Sequence, residues 1–167
     1  MEEKVSKVAV IMGSDSDLST MQRCIDTLKD FGIEPTVRVI SAHRTPLEAA
    51  DFADKAKEKG YKVIIAAAGM AAHLAGSVAG RTELPVIGVP MQASEGPNGL
   101  DALLSTVQMP PGVPVASMAI GKAGAKNAAI FAAQIISLFD EEVDKKLKQF
   151  RTRQTEAVIA KDASLNS

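Results

Sequence analysis

Tryptophan is missing from this chain, tyrosine occurs once, and aromatic residues fill only 4% of its 167 positions. The interior must therefore be built from Ala, Val, Ile and Leu, which a hydrophobic content of 46% supplies. Cysteine occurs once, at Cys24, so no internal disulfide can form and a reducing compartment suits the chain. Cys24 lies in an apolar helical pattern and reads as a small packing residue rather than a nucleophile. With only two histidines beside that cysteine, no cluster has metal-ligand spacing, and no metal is expected. Basic and acidic residues nearly balance, 19 against 20, which leaves no basic stripe for nucleic acid. No apolar run is long enough to span a membrane. Residues 1–4 lead straight toward a strand pattern, without the apolar core of a signal peptide. A cytoplasmic setting is expected, with neither nucleic acid nor membrane as partner. The length allows one domain with a proper core and not two.

What is present is a regular alternation of strand and helix patterns. Lys7 to Met12 is a buried strand pattern, followed by Gly13-Ser14-Asp15-Ser16-Asp17 and a helix carrying Leu18, Met21, Ile25, Leu28 and Phe31, stopped at Gly32. Thr36 to Ile40 is the second strand. Ser41-Ala42-His43-Arg44-Thr45-Pro46 then opens a helix running to about Lys59. Thr45 as N-cap, Pro46 at N1 and Glu48 at N3 form a capping-box pattern. The third strand covers Tyr61 to Ala66, ahead of a small-residue turn holding Gly69, Met70 and His73. The fourth covers Val86 to Val89, stopped by Pro90. A polar loop, Gln92 to Asn98, and a short helix with Leu100, Leu103, Leu104 and Val107 follow. The fifth strand is Val115 to Ile120. Next come a glycine turn at Gly121 to Lys126 and a helix from Ala128 to Leu138 that is apolar nearly all round. In so small a domain, such a helix points to a second subunit. A charged helix from about 140 to 160, striped by Val143, Leu147, Phe150 and Val158, reads as peripheral, and 161–167 as a frayed tail. The whole, 1–167, reads as a single catalytic domain.

Five strands alternating with helices predict a three-layer α/β/α sandwich, flavodoxin-like, with a five-stranded parallel sheet ordered 2-1-3-4-5. Ligands in such sheets bind outside the C-terminal strand edge. The loops after the first three strands carry Ser14, Ser16 and Asp17, then Ser41, His43 and Arg44, then Gly69 and His73. Free N–H groups at the first helix start favour an anion. Asp15 and Asp17 repel one, so either caps the helix or binds a sugar diol, while simple N-capping by Ser16 or Asp17 would also explain the helix start. Arg44 is a permanent forked cation, and the imidazole of His43 beside it is of the side-chain type suited to carrying a proton. His73 is by pattern a structural residue, but it follows its strand much as His43 does. These residues imply a phosphate-bearing small molecule and a histidine proton carrier, without naming the reaction. Gly121-Lys122 lacks the Walker spacing. A non-catalytic binding module of the same fold has no use for an ionisable histidine beside Arg44.

Met12-Gly13-Ser14-Asp15-Ser16-Asp17, Ser41-Ala42-His43-Arg44-Thr45-Pro46, Ala71-Ala72-His73-Leu74, Val107-Gln108-Met109-Pro110 and Ala119-Ile120-Gly121-Lys122-Ala123-Gly124 resemble, in order and spacing, the PurE family of 5-(carboxyamino)imidazole ribonucleotide mutases. The likeness runs from about Lys7 to Glu156. It implies a flavodoxin-like fold, a homo-octamer and no metal or organic cofactor. It also implies reversible transfer of a carboxylate from the exocyclic nitrogen to ring carbon C4 of the ribonucleotide. Through the resemblance, Ser14, Asp17 and Arg44 match nucleotide-binding positions, with Ser16, Ser41, Gly69 and Leu74 alongside. His43 matches the catalytic histidine and His73 the second histidine of the pocket. Arg44 and the Ala71–Leu74 form resemble the mutase branch rather than the members that carboxylate aminoimidazole ribonucleotide directly, which carry Lys in place of Arg44. Ala67, Met70 and Ala75 stand where the family keeps Gly, Gly and Pro, and the Gln92–Asn98 loop is slightly longer. If the family's glycine takes φ > 0 there, Met70 is strained or the turn has shifted.

Overall fold

The alternation of small β-branched runs with amphipathic segments builds one sheet covered on both faces. The computed structural model describes residues 7–94 and 96–166; the expected entry from residues 1–4 lies outside them. Strands β1 (Val8–Met12), β2 (Thr36–Val39), β3 (Val63–Gly69), β4 (Val86–Met91) and β5 (Ala116–Ser117) are all parallel, in the order β2-β1-β3-β4-β5. That is the predicted topology. A strand buried on both faces sends alternate side chains into two cores. Val8, Val10, Met12, Val63 and Ile65 pack with α1 (Leu18–Asp30), α5 (Gly121–Ser137) and α6 (Glu141–Leu165). Ala9, Ile11, Ile64 and Ala66 pack on the other face with α2 (Pro46–Lys55) and α3 (Leu74–Ala79). Each fully buried aliphatic side chain contributes about 1.5–3 kcal/mol of transfer free energy. Cys24 is wholly buried in the first core, and burial pushes its thiol up to about 12, as befits an inert packing residue.

Several boundaries differ from expectation for physical reasons. β3 continues past Ala66 to Gly69, because Ala67, Ala68 and Gly69 pair with Val89, Pro90 and Met91. Pro90 does not stop β4. Gly88 in β4 accepts from Met118 while Pro85 accepts from Ile64, so alternate residues address opposite neighbours. Pro90 therefore turns its missing N–H toward the β5 side, and β5 has already ended there. The expected glycine turn at 121–126 is the first part of α5. Gly124 is required there, because a Cβ would fall onto the Ala119 carbonyl. Gly32 does end α1's turn in the left-handed region, with φ of 79°.

The helices on the sheet bring two further differences. α5 is covered within the chain by α1, α6 and the sheet, its alanines allowing close approach, so its apolar character does not by itself require another subunit. It is α4 (Leu100–Val107) that turns its apolar stripe outward: Ala102 and Thr106 are buried, while Leu100, Leu104 and Val107 are exposed. α6 starts at Asp140, whose side chain accepts from the Val143 N–H and pairs with Lys7 at 2.6 Å. The Lys7 ammonium, then the Val143 hydrogen bond, hold the Asp140 carboxyl below its usual range. The helix stays regular through the expected tail to Leu165. Val158, expected in the apolar stripe, is exposed; only Val143, Leu147 and Phe150 pack inward.

Candidate active site

The strand order sets the loops after β1, β2 and β3 side by side at the C-terminal edge. They enclose a cavity of about 780 Å³, a size suited to a small organic ligand. Ser14, Ser16, Asp17, Ser41, His43, Arg44, Gly69, His73 and Leu74 all line it, while Asp15, the other carboxylate weighed for a sugar diol, does not. Leu74 is 2% exposed and belongs to the core beneath, so it serves as floor. Sequence reasoning missed the fourth wall, Met91 to Ser94, which follows β4. The signal was available, since the same rule that placed the first three loops on this edge also places the fourth.

The β1 loop begins with a single 3-10 turn, Asp15–Asp17, before α1. Its cap is Ser14 rather than Ser16 or Asp17. The Ser14 hydroxyl accepts from the Ser16 N–H at 3.3 Å and from the Ser16 hydroxyl at 2.9 Å. Asp17 is left without a capping bond and is half-buried. Burial raises its carboxyl above the usual range, partly offset by a hydrogen bond from the Ser14 backbone and by the Arg44 charge. A carboxylate held unfavourably in a cavity is available to a hydroxyl-bearing ligand.

The β2 loop carries the charged centre. Pro46 does begin α2 at N1, but the expected capping box does not form. The Thr45 hydroxyl bonds Ser41 instead, and Glu48 reaches Arg38 at 3.7 Å. Arg44 stretches across to the β1 loop, where its Nη2 donates to the Gly13 carbonyl at 2.7 Å. Its backbone N–H and its Nε both donate to the Ser41 hydroxyl, at 3.1 and 3.4 Å. The guanidinium thus sits beside the start of the 3-10 turn, and cation and helix N-terminus face one anion-binding corner.

The β3 loop brings the second histidine. Nδ1 of His73, the residue preceding α3, lies 2.9 Å from Nε2 of His43. The rings meet edge to face, with centroids 5.0 Å apart. One nitrogen must donate and the other accept, so the facing positions share one proton. His43 Nδ1 has no protein partner among the described residues.

Met70 shapes the mouth of this cavity. Its φ is 56°, in the left-handed region, and its side chain is 64% exposed. The left-handed backbone places the Cβ in strain, about 1–2 kcal/mol for a residue other than glycine. Met70→Gly should release that strain, less the extra unfolded-chain entropy of glycine, for a net gain of about 0.5–1 kcal/mol. Thermal unfolding should show a midpoint about 1–3 °C higher. A lower midpoint would mean that contacts of the methionine side chain outweigh its backbone cost.

A doubly covered parallel sheet in the order β2-β1-β3-β4-β5, with a cavity at its carboxyl edge lined by Arg44 and two paired histidines, defines a flavodoxin-like α/β protein. The chain belongs to the AIR carboxylase family, whose model matches residues 7–157. It is 54% identical over 154 residues to the N5-carboxyaminoimidazole ribonucleotide mutase of Vibrio parahaemolyticus, covering 92% of this chain and 95% of that one. It is 53% identical over 152 residues to the mutase of the same name from Bacillus subtilis, covering 91% and 93%. Among solved structures, Treponema denticola PurE superposes with a TM-score of 0.86 at 30% identity, covering 96% of this chain and 98% of that one.

Proposed function

We propose that this chain is an N5-carboxyaminoimidazole ribonucleotide mutase of purine biosynthesis, working in the cytoplasm as one catalytic domain with α6 at its periphery. The relatives' names and near-complete coverage support the reaction. The observation that carries the chemistry is the 2.9 Å contact between His43 Nε2 and His73 Nδ1, in the cavity that Arg44 also lines.

The reaction needs a proton twice. Breaking the N–C bond of the substrate carbamate releases carbon dioxide, and the departing nitrogen must take up a proton. The resulting aminoimidazole is an enamine-like nucleophile at C4, which attacks the carbon dioxide. The new C4 carboxylate is reached only when C4 gives up its hydrogen as a proton. His43 donates the first proton and recovers the second, so the cycle closes without a cofactor. Retaining carbon dioxide beside C4 replaces a bimolecular encounter. His73 fixes the tautomer of His43 through their shared proton and offers its remaining nitrogen to the migrating carboxyl group. Arg44, with Ser14, Ser16 and Ser41, holds the phosphate, Asp17 takes a ribose hydroxyl, and Gly69 and Leu74 form the floor.

A homo-octamer fits this reading. Leu104 and Val107 on α4 and Val39 on the edge strand are apolar and uncovered in the single chain. The test is an assay of the purified protein with each of two substrates, the N-carboxylated ribonucleotide, or aminoimidazole ribonucleotide with bicarbonate. Conversion of the first at the higher rate is expected. Conversion of the second alone would overturn the mutase in favour of direct carboxylation. Sedimentation of the same preparation should return a large closed oligomer, and a monomer at micromolar concentration would remove the octamer.

A further inference from the structure

We propose that Thr45 is a positioning residue for His43, a latch that closes the turn on which the histidine stands. The inference rests on the functional reading above for its kinetic part. Ser41 and Thr45 bracket His43, and three hydrogen bonds join them. The Thr45 hydroxyl accepts from the Ser41 N–H at 2.9 Å and donates to the Ser41 carbonyl at 3.0 Å. The Thr45 N–H donates to the same carbonyl at 2.9 Å. One hydroxyl thus satisfies both backbone groups of a residue four positions earlier, and it does so in place of the helix cap that its position would otherwise provide.

The two functional side chains of the turn depend on this latch to different degrees. Arg44 bonds the Ser41 hydroxyl within the turn, but its guanidinium is also anchored outside it, by the Gly13 carbonyl of the β1 loop. Among the described residues His43 has a side-chain hydrogen-bond contact with His73 alone, so its place relative to that ring is set by the backbone of the turn. Loosening the turn should therefore displace the proton carrier and spare the phosphate grip. A displacement of about 1 Å at a reacting group costs up to about a hundredfold in rate.

Thr45→Val removes the hydroxyl and keeps the shape. The residue is exposed, and valine has the same β-branched shape as the threonine it replaces, so the fold should persist. We expect kcat to fall about tenfold, with KM and the dissociation constant for product unchanged within about twofold. Thr45→Ser, which keeps the hydroxyl, should restore kcat. Amide hydrogen exchange across 41–45 should quicken in Thr45→Val and not in Thr45→Ser. Parent-like kcat in the valine variant, failure of serine to rescue, or a rise in KM matching the loss of kcat would each overturn the assignment. Unchanged exchange would overturn the latch itself, whatever the activity. A parent protein that turns over neither substrate would instead strike the functional reading, and exchange alone would then decide the latch.

Discussion

Replacing His43 by asparagine should lower mutase turnover by about 10³–10⁴-fold, while the fold, the assembly and nucleotide affinity persist. General acid–base catalysis by one group is worth about 10²–10⁴-fold. In the proposed mechanism the same imidazole serves both proton transfers, which places the loss in the upper part of that range. Asparagine is similar in size and can still hydrogen-bond His73, but it cannot donate and recover a proton at neutral pH. The fold should not suffer, since His43 is exposed and contributes nothing to either core. Affinity should not suffer because the proposed phosphate contacts belong to Arg44 and the β1 loop, which bond each other and not His43. Steady-state kinetics and calorimetric binding of the product separate these effects. Turnover within about tenfold of the parent would remove His43 as the proton carrier. In the parent, labelled bicarbonate in solution should enter product only slowly during turnover. Incorporation as fast as the reaction would break the closed-pocket transfer.

The fold was legible because its signals are redundant. Val8–Met12 and Val63–Ile65 are runs that only a doubly covered parallel strand buries, and the helices between them leave one common topology. The order 2-1-3-4-5 then gathered nine chosen residues into one cavity. Legibility failed where one residue had two partners to choose from. Thr45 stands at a helix start with Glu48 three residues on, which is the pattern of a capping box. Its hydroxyl nevertheless bonds Ser41, and no local rule ranks the two choices. Ser14, one turn ahead of the expected cap, wins for a similar reason, because the chain enters α1 through a 3-10 turn. The Ala67–Gly69 segment carries no β-branched signal, and only its pairing with β4 makes it strand. Leu100, Leu104 and Val107 have helical spacing, but spacing says nothing about whether the sheet or another surface receives that face. Met70 was the opposite case. The resemblance raised the alternatives of strain or a shifted turn there, and a φ of 56° puts Met70 in the strained left-handed region.

Arg44→Ala should weaken nucleotide binding by about a hundredfold and leave the protein folded. The guanidinium is exposed and ready, with Nη2 spent on the Gly13 carbonyl and Nε on the Ser41 hydroxyl. Those two bonds hold the plane of the fork in place before ligand arrives, so little side-chain entropy remains to be lost on binding. Hydrogen bonds from a charged donor contribute about 1.5–3 kcal/mol each. Losing about 3 kcal/mol of phosphate contact corresponds to about two powers of ten in the dissociation constant. Stability should change little, because truncation removes guanidinium donors only from the Gly13 carbonyl and the Ser41 hydroxyl, at loops where water can replace them. The loss should appear in KM and in the product dissociation constant more than in kcat, since a phosphate held as proposed is remote in the substrate from the bond that breaks and serves as uniform binding. Arg44→Lys sharpens the test. It restores the charge without the fork, so it should recover part of the affinity and not all of it. Parent-like product affinity in Arg44→Ala would place the phosphate elsewhere in the cavity. Full recovery by lysine would show that charge alone, and not the two-pronged geometry held by Gly13 and Ser41, is what the anion reads.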